Sequence, residues 1–117
     1  MMETVKKVEK RVKFDSLEKI VHLQLMLYSF TEGIHLSPGD YSLLVHVAIH
    51  GYDRRSTPNE LVEKRVFLHK QSVRNTRNKL VDKGLLVEGP RHIYKINPDI
   101  KLESRGHIMI DLKAINI

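Results

Sequence analysis

Leu68-His69-Lys70-Gln71-Ser72-Val73-Arg74-Asn75-Thr76-Arg77-Asn78-Lys79-Leu80-Val81-Asp82-Lys83-Gly84 is the stretch on which the fold turns. At about 100° of rotation per residue, Val73 and Leu80 fall on one side, flanked by Thr76 and Val81. Gln71, Asn75 and Asn78 fall opposite, with Arg74 on one flank and Lys79 and Ser72 on the other. The spacing predicts a helix over residues 70–83 with one thin apolar seam, closed by Gly84 as its C-cap. Surface helices of soluble proteins usually alternate Glu and Lys; this one has no acid from Leu68 to Val81. Asparagine is a poor helix former, so a face kept only for solubility would carry other residues. Amides and guanidinium groups are the side chains that pair with base edges and phosphates.

Working upstream, Ser37-Pro38-Gly39-Asp40 is a helix start: Ser as N-cap, Pro in the first turn and Asp three residues after the cap. That helix continues through Tyr41, Leu44, Val45 and Ala48 and stops at Gly51. A polar linker, Tyr52 to Ser56, follows. Thr57-Pro58-Asn59-Glu60 repeats the start signal as a Thr-x-x-Glu capping box, opening a short helix with Leu61, Val62 and Val66 on its inner face. A turn through Phe67, Leu68 and His69 leads into the polar helix. Downstream, Leu85 to Glu88 reads as a strand, Gly89-Pro90 as a turn and His92 to Ile96 as the returning strand, with a tip of about three residues. Asn97-Pro98 breaks the pattern. Ile100 and Leu102 then alternate, Ser104-Arg105-Gly106 turns, and Ile108, Ile110 and Leu112 alternate again, so the tail predicts a second hairpin.

The N-terminal side adds an arm and one more helix. Residues 1–14 are a basic arm in which Val5, Val8 and Val12 are spaced for a helix while Val12 and Phe14 alternate as in a strand; both readings stand. Asp15 with Glu18 has the form of a capping box, opening a helix to about Phe30 that ends before Gly33. Its apolar residues (Leu17, Ile20, Val21, Leu23, Leu25, Met26, Leu27, Tyr28 and Phe30) cover well over half the circumference. Glu18, His22 and Ser29, with Lys19 at the margin, make the polar strip. A helix packed on one core needs an apolar stripe little wider than about 100°. The surplus predicts a second buried contact, most simply a partner subunit, so helix 16–30 is the expected interface of a homo-oligomer, a dimer first. The expected organisation is a basic arm over 1–14, one domain over 15–98, and a tail over 99–117 that could add an oligomer contact.

Composition bounds the function. The chain has 117 residues and 41% hydrophobic content, with seven aromatics and no Trp, so its core must be mostly aliphatic. No Cys is present, which excludes disulfides and thiolate metal sites. The longest apolar run is too short for a membrane span and the N-terminus has no signal-peptide pattern; the expected location is the cytoplasm, in association with the nucleoid. Between Arg54 and Lys79 stand eight basic residues and two acids, an excess equal to the net +6 of the whole chain. Such a localised positive field is the footprint of a polyanion partner, against the plainer reading of a solvated basic face.

Helix, helix, short helix, polar helix and β-hairpin follow one another in that order. Over residues 36–96 the chain resembles the winged helix-turn-helix superfamily, most closely its MarR-like branch. The resemblance is carried by the Ser37-Pro38-Gly39-Asp40-Tyr41 start, by Thr57-Pro58-Asn59-Glu60-Leu61, and by Val73 with Leu80-Val81-Asp82-Lys83-Gly84-Leu85-Leu86. Two departures are Val66-Phe67-Leu68, where that family has a small residue in the turn, and the shortness of the hairpin. His92-Ile93-Tyr94-Lys95-Ile96-Asn97-Pro98 bears a loose likeness to plasmid and phage replication initiators. The resemblance implies a mainly α fold with a small β-hairpin wing (α+β), here with an extra N-terminal helix and a β tail. It also implies double-stranded DNA as the partner and the helix 70–83 in the major groove.

A helix is about as wide as the B-DNA major groove. Gln71, Asn75 and Asn78 lie on the outermost line, where an amide can bond bidentately to adenine, and Arg74 can do so to guanine. Lys70 and Ser72, in the first turn, suit phosphates at the helix N-terminus. Lys79, Arg77, Lys64 and Arg65 would flank the groove, although Arg77 lies close enough to the seam for a packing role. Arg91 at the hairpin tip would reach a neighbouring phosphate or the minor groove. Thr57 and Asn59 sit at a helix N-terminus, another phosphate-ready position. Three functions fit: a sequence-preferring transcriptional regulator; a DNA-binding accessory protein of a phage or mobile element, acting in replication initiation or packaging; and a winged-helix protein–protein adaptor. His46 and His50 have i, i+4 metal-ligand spacing but no Glu between them and no clear third ligand. No nucleophile motif, phosphate loop or carboxylate pair stands out, so no enzyme, metal or cofactor is expected. The sequence identifies no ligand pocket.

Overall fold

The structure, a computed structural model, describes residues 7–11, 16–102 and 107–111. These residues form β1 (Lys7–Arg11), α1 (Leu17–Glu32), α2 (Pro38–His50), α3 (Ser56–Glu63), α4 (Lys70–Asp82), β2 (Leu86–Glu88), β3 (Tyr94–Ile96) and β4 (His107–Asp111). The fold is mainly helical with small antiparallel sheets, an α+β arrangement. No helix among the described residues is long and apolar enough to cross a membrane.

Caps set most of the boundaries. Ser16 caps α1, its hydroxyl accepting from the Lys19 amide at 3.3 Å, so this cap falls one residue after the expected Asp15. Gly33 closes α1 at φ 70°, a left-handed conformation that a β-carbon disfavours. Ser37 and Asp40 make the reciprocal capping box at the start of α2. Thr57 and Glu60 make none. The carboxylate of Asp53 instead accepts from the backbone N–H groups of Arg55 and Ser56 at 3.0 and 2.8 Å, and α3 begins at Ser56. Between α3 and α4, Arg65 takes a left-handed conformation (φ 61°) just before Val66-Phe67-Leu68, the turn that carries no small residue. Phe67 packs half-buried against the core, while Leu68 stays 84% exposed.

The core is assembled from every helix. Val21 and Leu25 of α1 meet Leu43, Leu44 and Val47 of α2, Leu61 of α3, and Val73 and Leu80 of α4. Leu85, Leu86, Tyr94 and Ile100 close it from the hairpin side. The β2–β3 register pairs Leu86 with Ile96, Val87 with Lys95 and Glu88 with Tyr94. Tyr52 adds a single antiparallel bridge to Tyr94, tying the start of the α2–α3 linker to the hairpin. β3 begins at Tyr94, so His92 and Ile93 belong to the tip, which spans residues 89–93.

The tail departs from the expected second hairpin. Asn97 bonds through its side chain to the Gly84 carbonyl at 2.8 Å, and its own carbonyl accepts from Ile100, turning the chain inward. Ile100 is thereby buried in the main core and Leu102 packs partly against it, so neither is available as a strand partner for the tail. β4 pairs instead with β1 of the N-terminal arm, from Lys7 opposite Asp111 to Arg11 opposite His107. The arm is thus strand over these residues, paired with the strand of the tail. Ser104, Arg105, Gly106 and Leu112 lie outside the described residues.

Candidate nucleic-acid interface

The seam of α4 is fixed before its outer face is considered. Val73 and Leu80 have no exposed surface, and Thr76, Arg77 and Val81 are half-buried beside them. Burying the seam turns Lys70, Gln71, Asn75, Asn78 and Lys79 outward, with Ser72 and Arg74 half-buried on the flanks. This is the face expected from the helical spacing.

Hydrogen bonds link these side chains into pairs. Gln71 Nε2 donates to Asn75 Oδ1 at 2.9 Å, one turn along the helix. Such a pair keeps one amide oxygen, Gln71 Oε1, as acceptor and one amide nitrogen, Asn75 Nδ2, as donor. The Arg77 guanidinium forks onto one oxygen, Asn78 Oδ1, through Nε at 3.1 Å and Nη2 at 2.8 Å. On its other side Arg77 lies over the Tyr94 ring (4.7 Å to the centroid) and near the Tyr52 ring (5.6 Å), and it donates to the Tyr52 hydroxyl at 3.4 Å. The two tyrosine rings meet edge to face at 5.3 Å. Arg77 is therefore a packed residue bridging α4 and the hairpin, the alternative to a phosphate contact that its position near the seam allowed. Burial raises the Tyr52 hydroxyl above its ordinary pKa, against the opposing pull of Arg77 and Arg74.

Several expected phosphate contacts are committed elsewhere. Lys79 Nζ bonds Asp40 Oδ1 at 2.8 Å, across the α2–α4 contact. Asp40 is only 2% exposed. Burial alone would raise its pKa, but the bonds from Lys79 and Ser37 outweigh that and hold the carboxyl below the usual range. Thr57 is 5% exposed, and its hydroxyl accepts from the Asp53 amide at 2.8 Å, so it is a buried structural residue and no phosphate can reach it. Lys64 pairs with Glu60 at 3.5 Å in a surface i, i+4 contact, which is weak and easily exchanged. Arg65 and Asn59 are exposed on the α3 side.

At the hairpin tip Arg91 and His92 both take left-handed backbone conformations, at φ 61° and 58°. Arg91 is exposed, and His92 Nδ1 lies 2.6 Å from Glu88 Oε2. Lys70, Arg65 and Arg91 make no ion pair with a described residue. The surface thus offers exposed cations around a line of amides. The N-terminus of α4 follows His69, which provides no side-chain cap.

Sequence reasoning missed three features here. The Asp40–Lys79 pair joins residues of two separate helices, and no local pattern signals it. The tyrosine bracket of Arg77 depends on the Tyr52–Tyr94 bridge, another long-range contact. A pocket of about 320 Å³ lies among α1, α2 and α3, lined among others by His22, Tyr41, His46, Ile49, Leu61 and Lys64. The His46 and His50 rings stack at 4.9 Å with a 48° tilt, and His46 Nε2 is 3.7 Å from Glu60 Oε2. Among the described residues no three His, Asp or Glu side chains are placed to hold a metal ion. No family model, no curated protein and no solved structure matches this chain.

Proposed function

We propose that this chain is a sequence-preferring double-stranded DNA-binding protein of the winged helix-turn-helix kind, acting in transcriptional regulation at the nucleoid, with α4 in the major groove. The observation that carries this reading is the outer face of α4: without an acid from Lys70 to Val81, lined by Gln71, Asn75 and Asn78 and flanked by Lys70 and Arg74, on a helix whose inner seam is fully buried. Base readout requires such a rigid presentation, because mobile side chains lose on binding the entropy that a braced one has already given up. Arg91 at the tip of the β2–β3 hairpin, the wing in this reading, and Arg65 and Asn59 beside α3 supply backbone contacts around that face. Leu68, exposed just before α4, suits apolar contact with a thymine methyl group.

In the same reading the protein is a homodimer. Leu17, Met26 and Phe30 of α1 remain 43%, 46% and 65% exposed after folding, which is the surplus expected of a helix with a second contact. Dimerisation would double a small footprint and set a half-site spacing.

Titration of random duplex DNA at increasing salt tests the proposal. Binding should tighten at low salt and weaken linearly in log–log form as salt rises, since neutralised phosphates release counterions. No binding at low salt, or an affinity flat with salt, sinks the nucleic-acid reading. Selection from a random duplex pool should then yield a motif, and a palindromic one if the dimer is correct.

A further inference from the structure

We propose that Arg77 is a positioning residue for base readout, which locks the Asn78 amide as a hydrogen-bond donor and so makes it select guanine. This inference rests on the DNA-binding reading above and specifies what one position of that site accepts.

The geometry begins with the guanidinium. A carboxamide oxygen has two lone pairs, and Asn78 Oδ1 meets two N–H groups of Arg77, at 3.1 and 2.8 Å. A guanidinium carries donors only. Rotating the amide by half a turn would set the Asn78 NH₂ group against those donors, so chemistry fixes which end of the amide faces Arg77. Arg77 in turn is held by the Tyr94 and Tyr52 rings and by the Tyr52 hydroxyl. These tyrosines are 7% and 2% exposed, so the bracket is part of the core rather than a surface arrangement.

The consequence concerns base identity. The paired amide–adenine contact needs both ends of the amide, the oxygen accepting from N6 and the nitrogen donating to N7. With Oδ1 occupied, Asn78 offers only Nδ2–H groups. Guanine presents two acceptors in the major groove, N7 and O6, and adenine presents one acceptor beside a donor. A donor-only amide therefore favours guanine, whereas the unsupported helical pattern pointed to adenine. Cytosine, with a donor at N4, is rejected.

The test starts from the motif selected by the wild-type protein. Asn78→Ala identifies the base position that Asn78 reads, as the one position where preference is lost. Guanine is expected there, and replacing it with 7-deazaguanine should weaken wild-type binding several-fold while leaving Asn78→Ala unaffected. Asn78→Asp keeps an oxygen for Arg77 but presents a second acceptor; it should lose guanine by about tenfold or more and shift preference to cytosine. Arg77→Lys should let adenine in at that position alone, with the salt slope unchanged, and its thermal midpoint separates this from unfolding. Adenine selected by the wild type, or a motif unchanged by Asn78→Ala, overturns the inference while leaving DNA binding intact. An Arg77→Lys protein that stays folded but loses affinity for every sequence, with a shallower salt slope, overturns it as well, because Arg77 would then be a phosphate contact. Failure of the wild type to bind any duplex overturns the DNA reading and this inference together.

Discussion

Asp40 shows how one buried charge can anchor a surface helix. Its carboxylate caps α2 through the Ser37 amide and holds Lys79 of α4 at 2.8 Å. Removing the ammonium leaves a buried carboxylate short of a partner, so Lys79→Met should destabilise the fold by about 1–3 kcal/mol in urea unfolding. Adding Asn at position 40 should recover part of that loss. A Lys79 variant with unchanged stability and a shallower DNA salt slope would instead return the lysine to the phosphate-binding role that the sequence suggested. The pH dependence follows from the lowered pKa of Asp40. The unfolded chain takes up the proton first, so this stabilisation is complete above the unfolded value of 3.8 and is lost as pH falls through the lower folded value. The acid limb of the stability curve should therefore flatten in Asp40→Asn. In the proposed DNA-binding reading, Asn75 stands on the line that meets the bases and Arg74 on its flank. Alanine at either should cost about 1–3 kcal/mol at one base position and little elsewhere, measured by competition with single-base variants of the selected site.

At the scale of elements, start signals were legible where the cap is local and misread where a neighbour supplies it. Ser37 makes the box written in its own sequence, and Ser37→Ala should cost about 1 kcal/mol of stability in thermal or urea melts. Thr57 stands in the same pattern, yet Asp53 reaches the backbone first and Thr57 turns inward. The tail shows the same limit. Alternation at Ile100 and Leu102 is real, but Asn97 bends the chain so that Ile100 serves the core, and β4 finds β1 instead. His46 adds a second pH response, from α2. Burial holds its imidazole below its ordinary pKa, against the pull of Glu60 and with help from His50 and Lys64. The unfolded state then protonates first, so stability should fall as pH drops below about 6.5, the unfolded value. His46→Gln should remove that slope from urea unfolding measured between neutral pH and pH 5; an unchanged slope would place its origin elsewhere.

On the scale of the molecule, the exposed residues of α1 matter most. Met26 and Phe30 stand out from the folded protein at 46% and 65% exposure. Met26→Glu combined with Phe30→Glu should leave the fold within about 0.5 kcal/mol of the parent, as exposed substitutions usually do. It should nonetheless halve the mass in solution, measured by sedimentation, and weaken binding to a two-half-site duplex far more than to a single half-site. A parent that is already monomeric refutes the dimer, and a large ring would favour the accessory role in a phage or mobile element.

The sequence by itself determined the helical order, the two sides of α4 and the basic character of its surroundings, because a 3.6-residue period and a charge count are local properties. It also exposed the surplus apolar surface of α1, by the same periodicity. Tertiary structure decided which residues are already engaged within the fold. Asp40 took Lys79, the Tyr52–Tyr94 bracket took Arg77, Arg77 took one end of Asn78, and the core took Thr57 and Ile100. The Asp40–Lys79 pair and the tyrosine bracket join residues distant in sequence that packing brings together, at 2.8 Å and at 4.7–5.6 Å. Hydrogen-bonding capacity can be read from a residue's name, but its direction is set by the partner that the fold places beside it.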